Sequence, residues 1–147
     1  MTKILFICHG NICRSPMAEY VMKNLTQGRE DIYVESKAVS TEEIGNPIYP
    51  PAARTLKKHN IPFGNHRDRQ IKKEDYNSFD YLVVMEDYNL PRLFRILGDD
   101  PDKKVYKLLD FTNTPGDIED PWYTGNFEKV YEQITLGCKG ILERIEK

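Results

Sequence analysis

Residues 4–16 read Ile4-Leu5-Phe6-Ile7-Cys8-His9-Gly10-Asn11-Ile12-Cys13-Arg14-Ser15-Pro16. An apolar run leads into a polar, glycine-containing turn, and Ser15 then Pro16 close it. Serine suits the cap of a helix and proline its first position. The stretch therefore predicts a buried strand, a tight loop and a helix starting at Ser15. A loop entering a helix turns backbone N–H groups inward beside the positive end of the helix dipole, which makes an anion site. Cys8 opens this loop and Arg14 closes it, with five residues between them. A thiolate is the nucleophilic form of cysteine, and a helix N-terminus with a nearby cation favours it. The planar fork of an arginine grips two phosphate oxygens at once. A nucleophile on the floor of a phosphate cradle implies phosphoryl transfer to sulfur. Taken alone, a cysteine at a strand end is usually a small buried hydrophobe. The preceding strand, Gly10 and the helix start tip the reading toward chemistry.

Outward from this loop, strands and helices alternate. Residues 3–7 are apolar on both faces, as a strand inside a parallel sheet must be. Ala18, Val21, Met22 and Leu25 fall at helical spacing over 15–27, and Gly28 can end that helix. A capping box is absent, because Ala18 rather than an acid follows Ser15 at the third position. A second strand is predicted at 32–36, then a polar loop containing Gly45, Asn46 and Pro47. Pro50-Pro51 start a helix that runs to about His59, with Asn60 as its cap, and 61–75 is irregular and charged. A third strand is predicted at 81–85. Asp87 can cap a helix to Leu97 that Gly98 stops, with Pro91 tolerated in its first turns. A fourth strand is predicted at 105–109. Phe127, Val130, Tyr131, Ile134, Cys138, Ile141, Leu142 and Ile145 mark one stripe of a long final helix. Four such alternations predict an α/β fold, a four-stranded parallel sheet with helices on both faces. In such sheets ligands bind outside the C-terminal ends of the strands, where the Cys8 loop lies.

The chain has 147 residues, 39% of them apolar and 30% charged, which suits one domain over 1–147 with a real core. Its net charge of −2 offers no basic field for nucleic acid or an anionic membrane. Three cysteines argue against a disulfide framework, and thiol chemistry at Cys8 needs a reducing compartment, so a cytoplasmic location is expected. The apolar run before Cys8 is too short for a signal segment or a membrane span, and Glu143-Arg144-Ile145-Glu146-Lys147 carries no lipidation box.

A phosphate ester also needs a proton for its leaving oxygen, and a positioned carboxylic acid can supply it. Of 23 acids, Asp120 is the best placed, in Asp120-Pro121-Trp122-Tyr123, where proline stiffens the chain and two aromatics can wall a flat ring. On the residues alone, a plain turn before the last helix remains the simpler reading of that stretch.

Cys8-x5-Arg14-Ser15-Pro16 near the N-terminus, with Gly10, Asn11, Ile12 and Cys13 inside it, resembles the signature of the low-molecular-weight protein tyrosine phosphatases. Asp120-Pro121 followed by two aromatics resembles that family's second motif, and the likeness covers essentially the whole chain. It departs at His9, where an aliphatic residue is more usual, and at Trp122, where tyrosine is. The resemblance implies phosphotyrosine hydrolysis through a phosphocysteine, with Cys8 as nucleophile, Arg14 as phosphate clamp and Asp120 as general acid. It implies a phosphate cradle over His9, Gly10, Asn11, Ile12, Cys13 and Arg14, and a substrate ring held by Ile12, Trp122 and Tyr123. It implies that Asn11, Ser15, Ser36 and His66 form a hydrogen-bonded network holding the loop open; His66 lies in a His-x-x-Arg-Gln segment like the family's. A left-handed residue in such a loop needs locking partners, and asparagine tolerates that conformation better than most. The resemblance further implies that Cys13 can pair with Cys8 on oxidation and so protect it. A buried thiol that merely fills space is the equal alternative for Cys13. No metal and no cofactor are expected, and the expected partners are phosphotyrosine-containing proteins met by a monomer.

Other readings fit less well. Cys8, His9 and Cys13 have the wrong spacing for a zinc site, and no Gly-x4-Gly-Lys is present for a nucleotide P-loop. A noncatalytic phosphopeptide-binding module would leave Cys8 and Asp120 unexplained. An arsenate reductase of this architecture needs further cysteines in mid-chain, and 14–137 contains none. Arginine phosphatases of the family carry threonine where Ile12 stands, and Ile12 favours packing against a ring. At the rim, Glu42 stands where many members of the family place an aromatic, in Ser40-Thr41-Glu42-Glu43.

Overall fold

The computed structural model describes residues 1–146. Its centre is β1 (Thr2–Cys8), the apolar run, flanked by β2 (Ile32–Ala38) on one side and β3 (Tyr81–Val84) on the other. β4 (Val105–Lys107) pairs with β3, so the sheet order is β2-β1-β3-β4, and every pairing is parallel. The alternation along β1 divides the core. Ile4, Phe6 and Cys8 join Met17, Val21, Val83, Ile134 and Cys138 on one face. That face is covered by α1 (Arg14–Leu25), α2 (Pro50–Lys58) and α6 (Phe127–Ile145). Leu5 and Ile7 join Leu82, Val84, Tyr76 and Leu93 on the other, under α3 (Asp75–Ser78) and α4 (Leu90–Leu97). The expected α/β fold is observed, with helices on both faces.

Because β2 lies to one side of β1 and β3 to the other, the chain reverses direction across the sheet at β1 and β3. A crevice opens beyond their C-terminal ends, the usual ligand position in such sheets. The segments following β1 and β3 therefore meet although they are some 75 residues apart in the chain, Arg14 against Glu86.

Several boundaries differ from the sequence reading. α1 begins at Arg14 with Cys13 at its cap position and no side-chain cap bond, so Ser15 is not the cap; its hydroxyl is used elsewhere. β2 continues to Ala38, where Ile71 and Arg69 add backbone bonds and Gln70 forms an isolated bridge, tying the irregular 61–75 segment to the sheet. The 87–97 helix is a 3₁₀ turn, Asp87–Asn89, followed by α4. β4 stops at Lys107 and turns into the 3₁₀ segment Leu108–Phe111. That segment packs directly on α6: a β-carbon on Gly140 would stand 2.2 Å from the Phe111 carbonyl oxygen. This close approach fixes where the chain sets off toward Asp120. α5 (Pro121–Thr124) replaces the expected turn; the Asp120 carboxylate caps it by accepting the Trp122 N–H, and the left-handed Gly125 ends it.

Candidate active site

The Cys8–Arg14 loop leaves β1 with its first residues still paired. Val39 N–H donates to the Cys8 carbonyl and Ser40 N–H to the His9 carbonyl. The chain then has to reverse into α1, and Asn11 makes the reversal in the left-handed region at φ 56°. Three bonds lock it. The Asn11 side-chain amide donates to Ser15 Oγ (2.7 Å), His66 Nε2 donates to the Asn11 carbonyl (2.7 Å), and the Asn11 N–H donates to Cys8 Sγ (3.1 Å). Ser15 Oγ lies 2.9 Å from the same sulfur. Since this hydroxyl already accepts from Asn11, its own hydrogen is available to the sulfur. The residue read as a helix cap is thus a support for the thiol. Burial pushes the His66 imidazole below its ordinary pKa, against the opposing effect of its bond to Asn11. The bond to the Asn11 carbonyl requires a proton on Nε2. Ser36 stands apart from these residues: it donates to Glu19 of α1 at 2.5 Å, and Glu19 in turn accepts from Lys23. The four-membered network expected from the resemblance is therefore three residues here, with Ser36 bracing α1 through Glu19.

Unpaired backbone donors remain in the loop. The N–H groups of Gly10, Ile12 and Cys13 have no protein acceptor among the described residues, and α1 begins directly behind them. Arg14, only 4% exposed, places its guanidinium beside them. Its Nη1 donates to Glu86 Oε2 at 2.6 Å and to the Ile118 carbonyl at 3.1 Å, while Nη2 lies 3.5 Å from Asp120 Oδ2. Burial alone would weaken its charge. The Glu86 bond and the nearby Cys8, Glu86 and Asp120 outweigh that and raise its pKa above the ordinary arginine value. Neither Glu86 nor the Ile118 carbonyl was identified in the sequence. Glu86 carried a usable signal, since it stands just past the apolar run of β3, at the strand end where sites form.

Cys8, Arg14 and Asp120 line one cleft of about 720 Å³ together with His9, Gly10, Asn11, Ile12, Cys13, Trp122 and Tyr123. Trp122 packs on Tyr49, ring centroids 4.9 Å apart, and Tyr49 N–H donates to the Ile12 carbonyl, so the aromatic wall is fastened to the loop. Tyr88, not singled out in the sequence, adds a third exposed ring, 6.3 Å from His9. His9 Nε2 bonds Glu42 at 3.1 Å. Cys13 lies in the loop with its thiol pushed up to about 12, first by burial and then by the charges of Cys8 and Asp120. Among the described residues no cluster of His, Cys, Asp or Glu is placed to hold a metal ion. A sulfur nucleophile, a cradle of N–H donors, a guanidinium and a carboxyl group thus border one cleft, the parts needed for phosphoryl transfer through sulfur.

Residues 3–147 match the family described as low molecular weight phosphotyrosine protein phosphatase. The chain is 36% identical over 152 residues to the low molecular weight protein-tyrosine-phosphatase YfkJ of Bacillus subtilis, covering all of this chain and 97% of that protein. It is 37% identical over 150 residues to PtpA of Staphylococcus aureus, covering all of this chain and 96% of that one. The YfkJ crystal structure superposes with a TM-score of 0.94 over 99% of this chain and 95% of its own. The structure of the Drosophila arginine phosphatase DARP is also similar, at 31% identity and a TM-score of 0.89, covering 99% of each chain.

Proposed function

We infer the roles of individual residues from one premise: this chain belongs to the low molecular weight phosphotyrosine protein phosphatase family. It is a cysteine-dependent protein-tyrosine phosphatase. We propose that Cys8 attacks phosphorus as the thiolate, in line with the departing tyrosine oxygen. The sulfur–phosphorus bond forms as the phosphorus–oxygen bond breaks, and protonated Asp120 gives its proton to that oxygen. Asp120, now a carboxylate, then takes a proton from water. The water oxygen bonds phosphorus, the thiolate leaves, and inorganic phosphate is released. Throughout, the loop N–H groups and Arg14 hold the three equatorial oxygens and stabilise the charge that develops on them. Glu86 and the Ile118 carbonyl anchor one nitrogen of Arg14, which leaves the rest of the fork to turn toward phosphate. Ile12, Trp122 and Tyr123 receive the ring. The convergence of Cys8, Arg14 and Asp120 on one cleft carries this assignment.

The finer points follow from the same chemistry. The thiolate must stay reduced, so we place the enzyme in the cytoplasm. All the proposed groups come from one chain, so we expect a monomer to suffice. Cys13 shares the loop with Cys8 and is proposed as its partner in a reversible disulfide. Initial rates on peptides carrying phosphotyrosine, phosphoserine and phosphoarginine, with and without chelator, test the assignment. Phosphotyrosine should be hydrolysed fastest, chelator should change nothing, and acid quenching should trap a phosphoenzyme that Cys8→Ser cannot form. Faster turnover of phosphoarginine, or residual turnover in Cys8→Ser, would reject it.

A further inference from the structure

The charges lining the cleft are unequal. Glu42, Glu43, Glu86, Asp117 and Asp120 border it, against Arg14 and His9 as the cationic or potentially cationic side chains. Following each acid to its partner shows where the excess lies. Glu86 and Asp120 share Arg14. Asp117 shares Lys107 with Asp87. Among the described residues the Glu42 carboxylate pairs only with the imidazole of His9, which carries charge only when protonated. Glu43 accepts from the neutral Asn46 side-chain amide and lies against the phosphate loop, its Cγ 3.3 Å from where a β-carbon on Gly10 would stand. Two carboxylates without a permanent countercharge therefore form one lip of the mouth.

The lip is a fixed part of the site. At one end Val39 and Ser40 donate to the Cys8 and His9 carbonyls. At the other, Gly45 N–H donates to the Asp68 carbonyl and Asp68 N–H to the Asn46 carbonyl. Peptide residues on either side of a phosphotyrosine seated on Cys8 must pass over the rim of this cleft. The aromatic contacts belong to other segments, with Tyr88 beside His9 and Trp122 on Tyr49. The lip itself has no ring to offer, only charge.

We propose that Glu42 and Glu43 form a specificity-determining lip that favours phosphotyrosine sites flanked by lysine or arginine and disfavours acidic ones. This rests on the phosphotyrosine reading of the cleft. Exposed charges interact weakly in water and are screened by salt, so the effect is graded, about three- to tenfold between basic and acidic flanks at low salt. The lip touches neither the sulfur nor Asp120, so a substrate without flanks does not feel it.

The test compares kcat/KM for phosphotyrosine peptides with lysine/arginine, alanine or aspartate/glutamate flanks. Wild type, Glu42→Gln and Glu42→Gln/Glu43→Gln are each measured at low and high salt, with nitrophenyl phosphate as the substrate without flanks. The expected order is basic, neutral, acidic. The spread should narrow in the single variant, nearly vanish in the double variant, and shrink at high salt, while nitrophenyl phosphate stays within about twofold. Equal rates on all flanks, an acidic preference, or a basic preference that survives the double variant would overturn the lip and leave the enzyme assignment standing. Hydrolysis of nitrophenyl phosphate with no turnover of any phosphotyrosine peptide would overturn both.

Discussion

Between Cys8 and Arg14 the side chains of Cys8, Asn11, Cys13 and Arg14 are buried, and most are tied at short range. Asn11 is locked by Ser15 and His66, Ser15 reaches the sulfur, and Arg14 is pinned by Glu86. Between Asp120 and Tyr123 the opposite holds. The Asp120 side chain is 28% exposed, Trp122 57% and Tyr123 85%. Asp120 keeps one bond to the Trp122 N–H and a long 3.5 Å contact with Arg14. The half of the site that receives phosphate is built before substrate arrives. The half that serves the leaving group is left for the substrate to complete, because a tyrosine ring laid on Trp122 and Tyr123 would exclude water from the acid. Preorganisation is worth most where charge develops in the transition state, at the phosphoryl oxygens. An open acid lets products leave.

Removing Asp120 gives the largest test of this contrast. Asp120→Ala should slow phosphotyrosine hydrolysis by roughly 10²–10⁴-fold, the usual range for general acid catalysis, and nitrophenyl phosphate far less, because its leaving group hardly needs a proton. The ratio of the two losses is the measurement. Equal losses would move the acid to another residue and dissolve the division of labour.

A smaller effect probes the rigidity of the phosphate loop. With Cys13 as resolving thiol, peroxide should inactivate wild type and dithiothreitol restore most of the activity. Cys13→Ser should recover less than about a tenth, because Cys8 then advances to sulfinic acid. Peptide mapping should find Cys8 joined to Cys13 in the oxidised wild type. Cys8 oxidised but never joined to Cys13 would mean that the loop is too firmly held to bring the sulfurs together.

The smallest effect on turnover lies behind the lip, where the change is in stability. Asp68 is 1% exposed, and neither carboxylate oxygen finds a hydrogen-bond partner among the described residues. Burial first, and the Glu43 charge second, raise its pKa to about 6; the nearby Arg69 N–H pulls weakly the other way without completing a hydrogen bond. An unfolded aspartate titrates near ~3.9, so between about 4 and 6 the folded protein holds a proton that the unfolded chain has released. Stability from this group is therefore full below about pH 4, is lost as pH rises to about 6, and stays lost at neutrality, by about 3 kcal/mol. Asp68→Asn, a neutral isostere, should raise the unfolding midpoint by about 6–12 °C at pH 7 and leave it nearly unchanged at pH 4. An equal drop at both pH values would show that the carboxylate has a partner and supports the lip.

The same contrast governs what could be read from the chain. The apolar run of β1, the tight turn and the following helix are local features, and the phosphate loop was legible almost residue by residue. So was the alternation that sets the parallel sheet. Glu86 and the Ile118 carbonyl were not, because they reach Arg14 from 72 and 104 residues away, and only the strand order brings them there. The cap reading of Ser15 failed, because serine before proline signals a cap by local rule, whereas its hydroxyl turns to sulfur and to asparagine, the loop-support place that the resemblance implied. Ser36 was assigned to the Asn11 network by resemblance, but Glu19 takes its hydroxyl instead. α3 and α5 span only four residues each, too few to show a helical period.

The left-handed turn at Asn11 has a cost for the catalytic cycle. A cradle held open without its ligand does not distinguish the phosphate of a substrate from the phosphate set free at the end of each turnover. On the proposed mechanism, product should compete with substrate for the same N–H groups, and turnover should slow as inorganic phosphate accumulates. That affinity also makes phosphate a folding ligand. At about a hundred times its dissociation constant it would add about 2.7 kcal/mol to the folded state. The ion expected to inhibit the enzyme would then also stabilise its resting state.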